Sequence, residues 1–309
     1  MWRTLFSFGN QLPPPLSWLS RLASKSPVMA LIICMLAGGV YYAESNQREA
    51  MSWEGVPAAT TLYHPGTFFR VLRNQDFLIG WSDVRMTPLW VEYKLDMRSN
   101  YNHLPRLDGF SSDWRSGLPL TSSDYDGSGY DRGHMAPNYA IASVYGMQGQ
   151  RDTFKMTNVA PQRPNLNRKL WQRLESSVMD HMLPRMGALW VITGPIYEGS
   201  PKWLPSCQRA MFHLTKLPVC VSIPTAFYKI IIAPGGHGVL PRVLAFIMPQ
   251  DVIGNEPLNR YLVTVNEVER QTGLTFFPHM SGIEQADLKN QIRTAGWGIS
   301  SWANLPSRY

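Results

Sequence analysis

At 309 residues, with a formal net charge of +7, the chain fits one domain of about 200 to 250 residues plus an appendage better than a string of domains. Its three cysteines and seven histidines form neither an H-E-x-x-H motif nor the paired Cys/His spacing of a zinc site, so a zinc hydrolase lacks support. Residues 1–45 hold Arg3, Arg21 and Lys25 against Glu44, so the remainder keeps a charge of +5. A body of that sign suits a polyanionic partner, because neutralising phosphates releases their counterions.

Residues 1–26 form a basic leader with several serines and no acid, and residues 27–43 (PVMALIICMLAGGVYYA) carry no charge. Seventeen uncharged residues reach the lower limit for a membrane-spanning helix. The leader is long for a signal-peptide n-region, and Tyr41 occupies the −3 position before Ala43, where cleavage needs a small residue. These features favour a retained transmembrane anchor over a cleaved signal. The positive-inside rule then sends the large domain out of the cytoplasm or mitochondrial matrix. A leader of this composition also resembles a mitochondrial presequence, so an intermembrane-space location stays open beside a bacterial periplasmic or exterior one.

Residues 44–60 are polar and read as a linker, with the folded domain expected over residues 61–281 and a C-terminal extension over 282–309. Short β-branched and aromatic runs at 68–72, 77–81 and 89–95 predict strands, and residues 99–130 read as a long loop of the kind that is often functional. Residues 153–159 predict a strand ending at Pro161. Leu170, Leu174, Val178 and Met182, four apart, predict an amphipathic helix from Asn165 that stops at Leu183-Pro184. Continuous apolar runs at 188–194, 227–232 and 243–247 predict central strands, followed by a short helix over 265–273 and another at 283–293. Cys34 lies in the apolar span; Cys207 and Cys220 are either a disulfide or two buried thiols.

The chemistry concentrates in Asp131-Arg132-Gly133-His134, Asn158, and Asn167 with Glu175 on the predicted helix. His134 titrates near neutral pH when unperturbed and can take a proton from an attacking water. Arg132, two residues away on an extended segment, shares its face and can grip phosphate oxygens. Asn167 offers a neutral carbonyl oxygen to a hard cation that keeps most of its waters. Glu175 follows eight residues later, offset by about 80° on an ideal helix, and can hold metal-bound waters. Arg151, Lys155, Arg163, Arg168, Lys169 and Arg173 cluster around these positions.

DRGHMAP at 131–137, TFKMTNVAPQ at 153–162 and N-x-x-x-W-x-x-L-E at 167–175 together resemble the DNA/RNA non-specific endonuclease family, whose site is a ββα-metal motif. VITGPIY at 191–197, IPTAFYK at 223–229 and E-x-x-T-G-L at 269–274 extend the resemblance over roughly residues 60–281. It implies an α+β fold with a central, mostly antiparallel sheet flanked by helices. It also implies a single Mg2+ (or Mn2+) ion bound directly by Asn167 alone, with His134 as general base and Arg132, Asn158 and Glu175 completing the catalytic set. Arg132, Arg168 and Arg173 are expected on substrate phosphates, and Asp131 is expected to orient the loop. The partners implied are DNA and RNA, cut to 5′-phosphate ends, with a homodimer compatible. Where family members often carry an Arg four residues after the glutamate, this chain has Met179, which puts substrate grip in doubt more than the chemistry. Two alternatives stay open: a mitochondrial enzyme of the endonuclease G or exonuclease-like kind, and an inactive, membrane-tethered nucleic-acid-binding module.

Overall fold

The computed structural model describes residues 26–60, 65–97, 104–207, 219–235 and 240–306. The chain divides into two units, Met1–Ala50 and Met51–Tyr309. In the first, helix α1 (Pro27–Ala50) runs for 24 residues and includes a stretch apolar and long enough to cross a membrane; the basic leader lies outside the described residues. Its last turns take up Glu44 to Ala50, so the first part of the expected linker is helix. The second part is packed: Trp53 is buried, its backbone N–H donates to Glu92 at 2.8 Å, and its ring meets Phe277 edge-on. The folded body therefore begins at Met51, and β1 (Ala58–Ala59) already pairs with β11 (Leu274–Thr275).

The body is built on a seven-stranded antiparallel sheet. In chain order its strands are β2 (Arg70–Arg73), β3 (Phe77–Ser82), β4 (Thr87–Asp96), β7 (Ala188–Ile196), β8 (Ala226–Ala233), β9 (Arg242–Pro249) and β10 (Leu262–Val263). Their spatial order is β10-β9-β8-β7-β4-β3-β2. Every residue of β8 is buried, which is why its sequence, Lys229 apart, is apolar without alternation. Both faces are covered. One packs Phe227, Ile231 and Phe246 against Leu170, Trp171, Leu174 and Met182. The other packs Tyr228, Ile230 and Ile232 against Val268, Phe276 and Leu288, drawing on α5 (Val265–Thr272) and α6 (Gly282–Asn290). The C-terminal extension is part of the body, since Trp297 and Trp302 are buried in the first of these cores.

Two expectations fail locally. Residues 153–158 are the end of a helix and a 3-10 turn (Met156–Asn158), and the strand covers only Val159–Gln162. The helix after it, α4, is a continuous run of a π-segment (Leu166–Trp171), an α-segment (Gln172–Ser177), a second π-segment (Val178–Met182) and a closing turn (Leu183–Met186). It continues past Pro184 and stops at Gly187 with φ 78°. Cys207 and Cys220 are joined in a disulfide, while Cys34 is free.

Candidate active site

Strand β5 (Asp131–His134) pairs antiparallel with β6 (Val159–Gln162), matching Arg132 with Pro161 and His134 with Val159. Gly133 is required here, because a Cβ would lie 2.0 Å from Oε1 of the buried Gln162. The hairpin and α4 enclose a cavity of about 820 Å³ lined by Arg106, Arg132, His134, Asn167, Arg168 and Glu175, among others.

His134 packs against the rings of Phe110 and Phe154, each 5.0 Å away centroid to centroid and 5.2 Å from one another. Phe110 is held there because Ser111 bridges to Lys155 and the buried Asp113 accepts from Thr157 Oγ1 at 2.7 Å. Burial, reinforced by the charge of Arg106, pushes the imidazole down to about 3 from its ordinary 6.5, so the ring is neutral at physiological pH. Its Nε2 has no hydrogen-bond partner.

Asn158 lies just beneath and is fully buried. Its Oδ1 accepts from the Ala136 N–H and its Nδ2 donates to the carbonyls of Ala136 and Thr153, all at 2.9 Å. The amide is used up in pinning the chain after His134. It does not line the cavity, where its expected place in the catalytic set would put it.

Asp131 does more than shape its loop. Its carboxylate accepts from Asn167 Nδ2 at 3.0 Å and from Arg168 at 2.8 and 2.6 Å. Burial alone raises the Asp131 carboxyl, but the hydrogen bonds from Arg168 and Asn167 outweigh it and hold it below the usual range. Fixing the amide nitrogen of Asn167 fixes the flip, which leaves its carbonyl oxygen, with no donor among the described residues, as a candidate metal ligand.

The π-segment also matters for placement. An i→i+5 turn takes more residues than an α-turn, so each residue rotates less and the offset between Asn167 and Glu175 closes. Both line the same cavity. Glu175 pairs with neither Arg168 nor Arg173; its Oε1 lies 3.6 Å from Nζ of Lys229, a fully buried lysine of β8. Burial raises the Glu175 carboxyl to about 7, with Lys229 opposing the shift.

The arginines divide sharply. Arg132 donates to Asp126 at 2.5 Å and to the Ser122 carbonyl at 2.7 Å, which aims its fork along the cavity wall. Arg168 is exposed and held by Asp131. Arg106, which the sequence did not single out, lines the same cavity and forms no ion pair among the described residues; its guanidinium carbon is 5.4 Å from the Phe154 ring centroid. Its one signal is membership of the long loop. Arg173 corrects the expected phosphate contact: it is buried, and its guanidinium donates to the carbonyls of Leu305 at 2.7 Å, Glu256 at 2.8 Å and Ala303 at 3.1 Å. It staples the C-terminal segment to α4. Arg151, Lys155, Arg163 and Lys169 do not line the cavity either.

The human protein named Endonuclease G, mitochondrial, is 34% identical to this chain over 166 residues, covering 52% of each sequence. The human Nuclease EXOG, mitochondrial, is 31% identical over 55% of this chain and 45% of its own. This chain thus spans about half the length of these two relatives. A nuclease of Nostoc is 29% identical over 76% of this chain and 82% of its own. The solved EndoG/EndoGI complex superposes with a TM-score of 0.55 at 25% identity, covering 68% of this chain and 86% of that one. Residues 61–282 match the profile described as DNA/RNA non-specific endonuclease, and the chain belongs to that family.

Proposed function

We propose that the chain is a divalent-metal-dependent endonuclease that hydrolyses phosphodiester bonds of DNA and RNA and leaves 5′-phosphate ends. The observation that carries this reading is the convergence on one cavity of a neutral imidazole, an amide oxygen with its flip fixed by Asp131, a half-buried carboxylate and three arginines. Among the described residues no group of three or more His, Cys, Asp or Glu gathers as a metal cluster. One neutral oxygen with a carboxylate further along the helix suits a magnesium ion that keeps most of its waters, and manganese can replace it. Asn167 would hold the ion and Glu175 its waters; when bound, it neutralises charge on the phosphate and the leaving oxygen.

His134 accepts the proton of the attacking water on an imidazole nitrogen as the new P–O bond forms and the bond to the 3′ oxygen breaks. Arg106, Arg132 and Arg168 hold phosphate oxygens, and a phosphate brought this close raises the His134 pKa and so its basicity. The test uses two variants of the full chain on plasmid and RNA, with magnesium or EDTA. His134→Ala should lose about 10²- to 10⁴-fold in rate with DNA binding near wild type. Asn167→Ala should regain activity as magnesium is raised. Full activity of the first, or an unchanged magnesium titration of the second, refutes the assignment.

We further infer that α1 tethers the catalytic unit to a membrane on the side away from the basic leader. The relatives named mitochondrial favour the intermembrane-space alternative. Retention in the membrane fraction after a high-salt wash supports the tether, whereas a soluble species beginning near Glu44 would show a cleaved signal.

A further inference from the structure

Lys229 is out of place by every local rule. It sits in the middle of the fully buried strand β8, on the face that carries Phe227 and Ile231, where an aliphatic side chain belongs. Burial pushes its ammonium down from the ordinary lysine value, and a charge in such a place is strongly disfavoured unless paired. Two groups receive it. Its Nζ lies 4.4 Å from the centroid of the Trp171 ring and 3.6 Å from Oε1 of Glu175. Among the described residues Glu175 is its one ion-pair partner, and no other cation is within ion-pair distance of Glu175. Tyr93 of β4, fully neutral because burial and the Glu175 charge hold its phenol up, is the remaining titratable group facing the carboxylate from the sheet. The cation therefore approaches Glu175 from beneath, while the cavity opens on its other side.

We propose that Lys229 is a positioning residue of the catalytic site: its ammonium, seated against the Trp171 ring, draws one carboxylate oxygen of Glu175 toward the sheet and turns the other to the cavity. The second oxygen then accepts hydrogen bonds from waters of the divalent ion. This rests on the metal-dependent reading above, in which Glu175 serves those waters. It also explains why a strand otherwise built from apolar residues keeps a lysine: an isolated carboxylate on α4 would face Trp171 and Met179 with no fixed direction.

The experiment compares the full chain with Lys229→Met, Glu175→Gln and the double variant. Manganese affinity is read by electron paramagnetic resonance without substrate, alongside the KM for plasmid and thermal unfolding in EDTA. Lys229→Met should weaken manganese binding about 10- to 100-fold, the usual effect of losing a group that orients a metal site. Its KM should stay within about twofold and its unfolding temperature should not fall, since methionine fills the same space without a charge. The double variant should bind manganese no worse than Glu175→Gln alone. Wild-type affinity in Lys229→Met, or effects of the two single variants that multiply, overturns the proposal. A wild type that binds no manganese and cuts without metal overturns the underlying reading instead. Should Lys229→Met not fold, the Lys229 ammonium signal in ¹⁵N NMR decides: it should move on adding magnesium to wild type and on Glu175→Gln, and indifference to both refutes the role.

Discussion

Two part-buried groups lining the cavity have their pKa values moved in opposite senses, and the signs make a test. The His134 pKa of about 3 lies below its unfolded 6.5, so between those values the unfolded chain takes a proton that the native one refuses. Its contribution to stability is whole above pH 6.5 and is lost as the pH falls. Glu175 does the reverse: raised to about 7 from 4.5, it favours the native state below pH 4.5, and that contribution is lost as the pH rises through the window. Between pH 4.5 and 6.5 the two slopes offset. In EDTA, His134→Phe should therefore tilt the stability profile downward with rising pH relative to wild type, and Glu175→Gln should tilt it upward. Each tilt should approach about 1.4 kcal/mol per pH unit. Parallel profiles from denaturant titrations would show that neither burial acts as described. The arginines separate by a different readout. Arg173→Met should cost about 2 to 4 kcal/mol in unfolding, because several carbonyls lose a charged donor, yet leave the salt dependence of DNA binding unchanged. Arg106→Ala should do the opposite and reduce the salt slope by about one phosphate contact. A normal slope in Arg106→Ala would remove it from the substrate path.

At the scale of elements, what is local in the chain is legible in the sequence. The four-residue spacing of Leu170, Leu174, Val178 and Met182 and the continuous runs of β7, β8 and β9 all announce themselves, because each is set by neighbours a few residues away. What escapes is set at long range. Arg173 and Arg168 look equivalent in sequence, but the carbonyls that bury Arg173 belong to residues more than 80 positions away. Lys229 sits within a recognisable run, and nothing in that run says that a carboxylate lies across from it. Trp53 and the residues around it are polar enough to pass for a linker until Glu92 and Phe277 are seen to receive them. Residues 153–158 carry β-branched and aromatic side chains and still turn: the Asn158 N–H donates to the Lys155 carbonyl in place of a ladder, while the Asn158 amide bonds the backbone of Ala136 and Thr153 and the Thr157 hydroxyl bonds Asp113. The hairpin itself tolerates little change. Gly133→Ala places a methyl within 2.6 Å of Cγ, Cδ and Oε1 of buried Gln162. It should cost about 1 to 3 kcal/mol in chemical denaturation, with activity falling further because His134 moves with the strand. Wild-type stability in that variant would show that Gln162 has somewhere to go.

At the scale of the molecule, the proposed site acts on phosphate and metal, and no motif for reading base edges is recognised in the sequence, so cleavage should show slight sequence preference. Sequenced ends from a mixed plasmid digest should show no sharp consensus, and affinity should fall steeply with salt. The stapling of the C-terminal segment onto α4 has a consequence in time. Gly254, Glu256, Ala303 and Leu305 all supply carbonyls to one guanidinium on the helix that carries Asn167 and Glu175. That helix lacks part of its anchoring until Ala303 and Leu305 have been made and delivered. A nascent polypeptide that lacks these residues should accordingly be inert, and the chain should become competent to cut only once Ala303 and Leu305 are in place. Ribosome-arrested chains ending before residue 300 should show no cleavage, and release of the full chain should restore it; activity in the arrested chains would mean that the site closes without its C-terminal staple.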